Sequence, residues 1–281
     1  MLNCTEELSQ NSLHESIGRS SLNSKHSRVP LSRQPGGVIR NGILQALPAE
    51  ALDELAPYMQ RVPLKRRQVL HERNLPVTHA YFIERGLASL LARAGDQCML
   101  EVGTLGCQDF AGMPVVLGTS RTPHRCVVQV SGEALRIAAD DLHQAMNDVP
   151  ALRQLLLGYV QASTVQSAQL VVCNTRHTLR QRLARWLLFA HDRVEGNEIA
   201  LTHQFLGRAL GVRRAGVTTA MGRLEEAGLL HRGRGRIVIL DRAGLEAEAC
   251  ECYRAIRSEH GRIVCDEIAE PLAGTLRAVR Q

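Results

Sequence analysis

Residues 201–230 read LTHQFLGRALGVRRAGVTTAMGRLEEAGLL, and this stretch decides the fold of the C-terminal half. Thr202 offers a hydroxyl to the free N–H groups of a helix predicted over His203–Leu210, and Gly211 stops that helix. A second helix is predicted over 214–227, with Gly228 suited to its left-handed cap. Two short helices joined by a glycine turn cross steeply only where their contact lacks bulk. Gly207 supplies that lack, while Leu206, Leu210, Val212 and Val217 are the residues expected to bury the junction. The pattern is a helix-turn-helix.

Working outward, Leu229-Leu230-His231 and residues 237–240 are two β runs around Arg232-Gly233-Arg234-Gly235-Arg236. A hairpin with a cationic tip beside a helix-turn-helix is a wing able to lie on a phosphate backbone, adding affinity without sequence reading. Thr202 and His203, opening the first helix, and Arg232, Arg234 and Arg236 of the wing are therefore candidate DNA contacts. The second helix is expected in the major groove with Arg213, Arg214, Ala215, Thr218 and Thr219 near base edges. Arginine bonds guanine O6 and N7 in bidentate fashion, and threonine donates, accepts or touches a thymine methyl. Direct readout is assigned to Arg214 with Thr218 or Thr219, and a phosphate contact to Arg213.

Charge agrees. The chain has 281 residues, and its 34 basic residues include only Lys25 and Lys65 as lysine. Residues 176–242 hold 13 Arg against Asp192, Glu195, Glu198, Glu225, Glu226 and Asp241, a net of +7 where the whole chain carries +6. The excess sits on the segment read as DNA-binding, as a polyanion partner requires. Aromatic residues are 3% of the chain, too few for base-stacking platforms, which favours duplex over single strands. No window approaches the roughly 18 apolar residues a membrane span needs, and the serine-rich start lacks an apolar signal core. Membrane partners are not expected, and a cytoplasmic location is. The eight cysteines are scattered and expected to stay reduced; Cys250 and Cys252 form a C-x-C without a second pair nearby in sequence, so no metal site is predicted.

Upstream, residues 1–40 carry eight serines and no sustained apolar period, and read as a disordered tail. A helix is predicted over 48–59. From there to about 146 the chain reads as short strands cut by turn signals. Residues 80–83 and 87–91 are separated by Arg85-Gly86, and residues 126–130 and 134–138 read as a hairpin around Ser131-Gly132. Together these predict an antiparallel β-roll of the double-stranded β-helix or jelly-roll type. A long helix of some 25 residues then begins near Pro150, apolar on more than one side, and is expected to pack on the roll and on its twin in a second subunit. Residues 242–262 read as helical, with Leu245, Ala249, Cys252, Tyr253 and Ile256 on one face, and their packing partner is left open. The fold class is α+β, divided into a tail (1–40), a β-roll sensor domain (41–146), a dimerisation helix (147–175), a winged helix-turn-helix (176–243) and a helical extension (244–281).

Over residues 41–243 this order resembles the Crp/Fnr family of bacterial transcription regulators. Leu201-Thr202-His203-Gln204, Leu210-Gly211-Val212, Val217, Leu224-Glu225 and Gly228-Leu229-Leu230 carry the likeness, with looser support from residues 81–86 and 106–112. The resemblance implies a homodimer on a palindromic DNA operator, an effector-binding roll, and contact with RNA polymerase. It also marks Gly112, Arg125 and Cys126 as the candidate effector pocket. Members that bind cyclic AMP use a Gly-Glu-Leu stretch, then Arg followed by Ser or Thr. Here the positions read Gly112-Met113-Pro114 and Arg125-Cys126, so the ribose acceptor is missing and Pro114 has no N–H to give. Cyclic AMP is therefore not expected as the effector. Iron–sulfur members use a cysteine cluster near the N-terminus, whereas only Cys4 precedes Cys98. Ala215 stands where many members place an acidic residue, so an uncommon target sequence is expected.

The leading reading is thus a dimeric, sequence-specific DNA-binding regulator whose roll senses an unassigned small molecule. No cofactor and no catalytic residue is predicted. One alternative is a DNA-binding scaffold whose roll senses nothing. Another is a cupin-like metal enzyme with His71, Glu72, His79 and His124 as ligands, but the H-x-H pattern that such sites need is absent.

Overall fold

A computed structural model describes residues 38–95 and 99–265. The predicted tail lies outside the described residues except for 38–40, and so does the extension beyond 265.

Two small helices open the described chain. In α1 (Gly42–Gln45), the buried Asn41 caps the first turn by accepting from the Leu44 N–H at 3.3 Å. The next, α2, spans Ala49–Leu55 and passes into a 3-10 turn at Ala56–Tyr58. The single helix expected over 48–59 ends early because Pro57 cannot supply the N–H that an α-helical turn needs there.

The roll follows as β1 (Gln60–Leu64), β2 (Val69–His71), β3 (His79–Arg93), β4 (Met99–Leu105), β5 (Phe110–Ala111), a short α3 (Met113–Val116) and β6 (Arg125–Ala138). The sheet order is β1-β6-β3-β4, with β2 also on β6 and β5 also on β3, all antiparallel. Two sequence expectations are corrected here. Arg85-Gly86 does not separate two strands, and Ser131-Gly132 does not turn a hairpin. Each lies inside one long strand, and the two strands pair from His79↔Ala138 to Leu91↔Arg125 with register shifts around residues 83–88. Gly86 takes φ +87°, and a Cβ on Gly132 would stand 2.0 Å from the Arg85 carbonyl oxygen. The glycines permit a bulge where the paired strands bend over the core, not a chain reversal.

Helices α4 (Ala139–Asp148) and α5 (Pro150–Arg176) complete this half, with Pro150 in the first turn of α5. Leu152, Leu155, Leu156, Tyr159 and Ala162 bury the first half of α5 against Phe82, Phe110, Leu135 and Leu142. A second core fills the roll itself, built from Leu64, Tyr81, Ile83, Ala88, Leu105, Cys126 and Val128.

The C-terminal half comprises α6 (Leu179–Arg193), β7 (Glu198–Ile199), α7 (His203–Leu210), α8 (Arg214–Glu226), β8 (Leu230–Gly233), β9 (Arg236–Ile239), α9 (Arg242–Glu248) and α10 (Cys252–Cys265). Thr178 caps α6 in a reciprocal arrangement with Gln181. The extension read as one helical stretch is two helices broken at residues 249–251. It packs on its own chain: Tyr253 and Ile256 join the core of α6–α8, and His260 meets Gln166 and Tyr159 of α5.

The halves meet across buried polar groups. Asp109, in the loop before β5, accepts from Arg193 Nε at 2.6 Å and Nη2 at 3.4 Å, from Tyr159 Oη at 3.3 Å and from the Gly106 N–H at 2.9 Å. Trp186 Nε1 donates to Glu101 of β4 at 2.7 Å, and Leu87 of the bulge enters the core of the C-terminal half. Removing one partner of such an ion pair strands the other charge in a low dielectric, at a cost of about 3–5 kcal/mol. Asp109→Ala is therefore expected to lower unfolding stability by about that amount, read as a shift in the urea midpoint. Asp53→Ala, on the exposed face of α2, is expected to leave it unchanged.

Candidate DNA-binding surface and effector pocket

The helix-turn-helix forms as its glycines and caps demand. Thr202 Oγ1 accepts from the Phe205 N–H at 3.2 Å, and Gly211 ends α7 at φ +66°. A Cβ on Gly207 would lie 2.9 Å from the Val212 carbonyl oxygen, so only glycine lets the turn pass this close. Leu206, Leu210 and Val217 are buried at the junction together with Met221 and Leu224.

Arg213, Arg214, Ala215, Thr218 and Thr219 are all exposed at the N-terminal end of α8. Both threonine hydroxyls donate back to carbonyls one turn earlier, Thr218 to Arg214 at 3.1 Å and Thr219 to Ala215 at 3.2 Å. Thr218 Oγ1 also lies 3.0 Å from His203 Nδ1, which ties the start of α7 to the candidate recognition helix. Burial, then Arg232 and Arg214, push the His203 pKa down, so the imidazole is biased towards its neutral form beside this cationic surface.

The wing residues separate into two kinds. Arg232 is engaged: its N–H and Nε donate to Glu225 of α8 at 2.8 and 2.6 Å. These bonds, the backbone one first, hold the half-buried Glu225 carboxyl below its usual range. Arg232 thus fastens the wing to α8. Arg234 sits exposed at the tip beside Gly235, and Arg236 lies 3.8 Å from Glu198 with both side chains largely exposed. The role of Glu225 was not read from the sequence, where it is one of two adjacent acids with no mark of its partner.

Residues 61–149 match the cyclic nucleotide-binding domain family, and residues 181–248 match the Crp-like helix-turn-helix domain family. Among solved structures, FixK2 from Bradyrhizobium japonicum is similar at 16% identity and TM-score 0.60, covering 68% of this chain and 98% of that one. A Crp/Fnr transcriptional regulator from Eubacterium rectale matches at 17% identity and TM-score 0.56, covering 75% and 97%. The c-di-GMP responsive global regulator CLP of Xanthomonas campestris matches at 18% and 0.52, covering 68% and 99%. Among curated proteins, none matches. The chain belongs to the Crp/Fnr family.

In this Crp/Fnr chain the three candidate effector residues have different surroundings. Gly112 precedes α3, and a Cβ there would stand 2.5 Å from the Phe110 ring and 2.6 Å from Ala80 Cβ. Cys126 is fully buried in the roll core, which pushes its thiol up to about 12. Arg125, next to it on β6, is directed to Glu72 with Nε at 3.0 Å. A cleft of about 380 Å³ lies elsewhere, among Ile39, Arg40, Glu84, Arg85, Cys107 and Glu195.

The cupin-like ligand set is not assembled. Glu72 pairs with Arg125, His71 Nε2 donates to the His79 carbonyl at 2.8 Å, and His124 accompanies Thr122. Among the described residues no three of these four gather their ligand atoms. No helix among the described residues is long and apolar enough to cross a membrane.

Burial, the largest influence, holds the His71 pKa below its ordinary value of 6.5. Folding thus favours neutral His71. That contribution is complete above the ordinary value and is lost as pH falls through it towards the depressed folded value. The melting temperature is expected to drop between about pH 7.5 and about pH 5.5. His71→Gln, which retains a donor for the His79 carbonyl, is expected to flatten that drop; an unaltered pH profile would place the titration on other groups.

Proposed function

We propose that this Crp/Fnr chain acts as a homodimeric, sequence-specific transcription regulator on palindromic duplex DNA. The division of labour follows the residue ranges 41–146, 147–175, 176–243 and 244–281. Arg214, with Thr218 or Thr219, reads base edges. Arg213, Arg234 and Arg236 contact phosphate, while Arg232 holds the wing in place. Thr202 and His203 align the start of α7 with the backbone. The observation that carries this reading is the shared exposure of residues 213–215, 218 and 219 on a helix flanked by a cationic wing.

Dimerisation is supported by α5. Its buried positions 159, 162 and 173 and half-buried positions 166, 169 and 170 face α10 or the cores, and on the opposite face Leu157, Val171 and Val172 are 43%, 65% and 46% exposed. Exposed apolar residues near both ends of this face, with Gln161, Thr164 and Ala168 between them, leave a helix of 27 residues a surface that suits a parallel twin. A dimer sets half-sites about one helical turn, about 10 bp, apart or at a multiple of it. RNA polymerase is the further partner expected of a family activator.

Cyclic AMP is not the effector in this reading. Support comes from Met113-Pro114 in place of the ribose acceptor, from the Arg125–Glu72 pair, and from the filled roll interior around Cys126. The filled interior equally favours a second reading, a scaffold roll that senses nothing. Operator affinity that no cell metabolite alters selects the scaffold, and metabolite-dependent affinity selects the sensor. Micromolar binding of cyclic AMP by calorimetry would overturn both.

The decisive experiment maps bound genomic sites and then tests single-base operator variants with purified protein. Arg214→Ala is expected to lose about 1–3 kcal/mol of affinity, concentrated at one base pair of each half-site. An equal loss on every variant would move Arg214 to the phosphate backbone. No preference for any duplex over bulk competitor at low salt would end the regulator reading.

A further inference from the structure

The fold brings together four residues that DNA binding does not use. Cys173 and His177 are one turn apart at the end of α5, while Cys250 and Cys252 flank the entry to α10. Their three Sγ atoms and one imidazole nitrogen all lie within 4.8 Å of one another. Cys173 Sγ is 3.5 Å from Cys250 Sγ, and Cys252 Sγ is 3.5 Å from His177 Nδ1. Thiolates bound to zinc at about 2.3 Å stand about 3.8 Å apart on a tetrahedron, and a sulfur–nitrogen edge is about 3.5 Å. The donors thus already sit near the separations one central ion would impose. We propose that Cys173, His177, Cys250 and Cys252 form a closed Cys3His site for one structural zinc ion.

The surroundings match. The three cysteines are at most 3% exposed and pack as a group of their own, apart from the larger cores. His177 Nε2 lies 3.1 Å from a Glu251 carboxylate oxygen. With its proton on Nε2, the ring turns a lone pair on Nδ1 towards the sulfurs, the orientation that carboxylate–histidine pairs impose on metal ligands. Gln169 Nε2 donates to Cys252 Sγ at 3.2 Å, which suits a thiolate acceptor. Three thiolates and a neutral imidazole on a divalent ion leave one net negative charge. Arg182 and Arg185 of α6 both interact electrostatically with Cys173 and offset it. Thiolate sulfur is a soft donor that selects zinc over calcium or magnesium, and four protein ligands leave no open position for catalysis. Binding exchanges three thiol protons for three sulfur–zinc bonds, with no redox change.

The ion bridges distant parts of the chain. His177 stands between the last residue of α5 and Thr178, the cap of α6. Zinc therefore clips the C-terminal extension onto the junction between the long helix and the DNA-binding half.

The test uses the full chain purified under reducing, anaerobic conditions and incubated with zinc. Elemental analysis after chelator dialysis is expected to give one zinc per chain, and cobalt substitution the absorption of a tetrahedral thiolate site. Cys252→Ser is expected to abolish both. Because a cysteine variant can lose its fold, Glu251→Ala, at a largely exposed side chain, provides the second arm. It is expected to fold normally yet bind zinc about 10–100-fold more weakly in a chelator competition. Substoichiometric zinc, a Cys173–Cys250 disulfide in the reduced preparation, iron with acid-labile sulfide, or unchanged zinc affinity in Glu251→Ala would each overturn the assignment.

Discussion

The Asp109 carboxylate is the joint on which the arrangement of the two halves depends. It is 1% exposed and receives Arg193 from the end of α6, Tyr159 from the long helix and a backbone N–H from its own loop. A carboxylate and a guanidinium buried this deeply are tolerable only while each satisfies the other. The loop before β5, the middle of α5 and the end of α6 are thereby held at one mutual geometry. Motion between the roll and the DNA-binding half must either carry this group intact or let water reach it. A second polar contact, Trp186 with Glu101, and the insertion of Leu87 into the DNA-binding core reinforce the same relation.

That joint gives the DNA-binding surface a rigid base. The helix-turn-helix packs on α6, α6 is tied to the roll through Arg193 and Trp186, and Arg232 fastens the wing to α8 through Glu225. Among the wing arginines, one is structural and the others are turned outwards. A change in the roll therefore has a short mechanical path to the recognition helix, through the strands at the bulge and the length of α6. The long helix is shared in the same economical way: one side carries α10, and the opposite face stays open.

Local features of the DNA-binding half were legible in the sequence because they obey local rules. A cap hydroxyl, a glycine at positive φ and apolar residues at helical spacing act within a few residues of one another, and Thr202, Gly211 and Val217 stand where those rules put them. The roll was legible as a class but not in its strand boundaries. Gly86 and Gly132 signal a break in regular pleating, and a chain reversal and a bulge look alike until the pairing partner is known. Pro57 was visible yet allowed too long a helix, since its missing N–H acts on the turn before it.

What the sequence by itself determined is the family, the order of elements and the exposed face of α8 proposed to meet DNA, all of which rest on short-range periodicity and charge. What only the tertiary structure decided are the partnerships across long separations. Asp109 finds Arg193 84 residues away, and Cys173 finds Cys250 77 residues away. Neither position carries a local mark of its partner, because such contacts are selected by the packing of whole helices and strands. Arg125 likewise lies beside Glu72 through the pairing of β2 with β6, and that pairing, not residue type, determined which charge it meets.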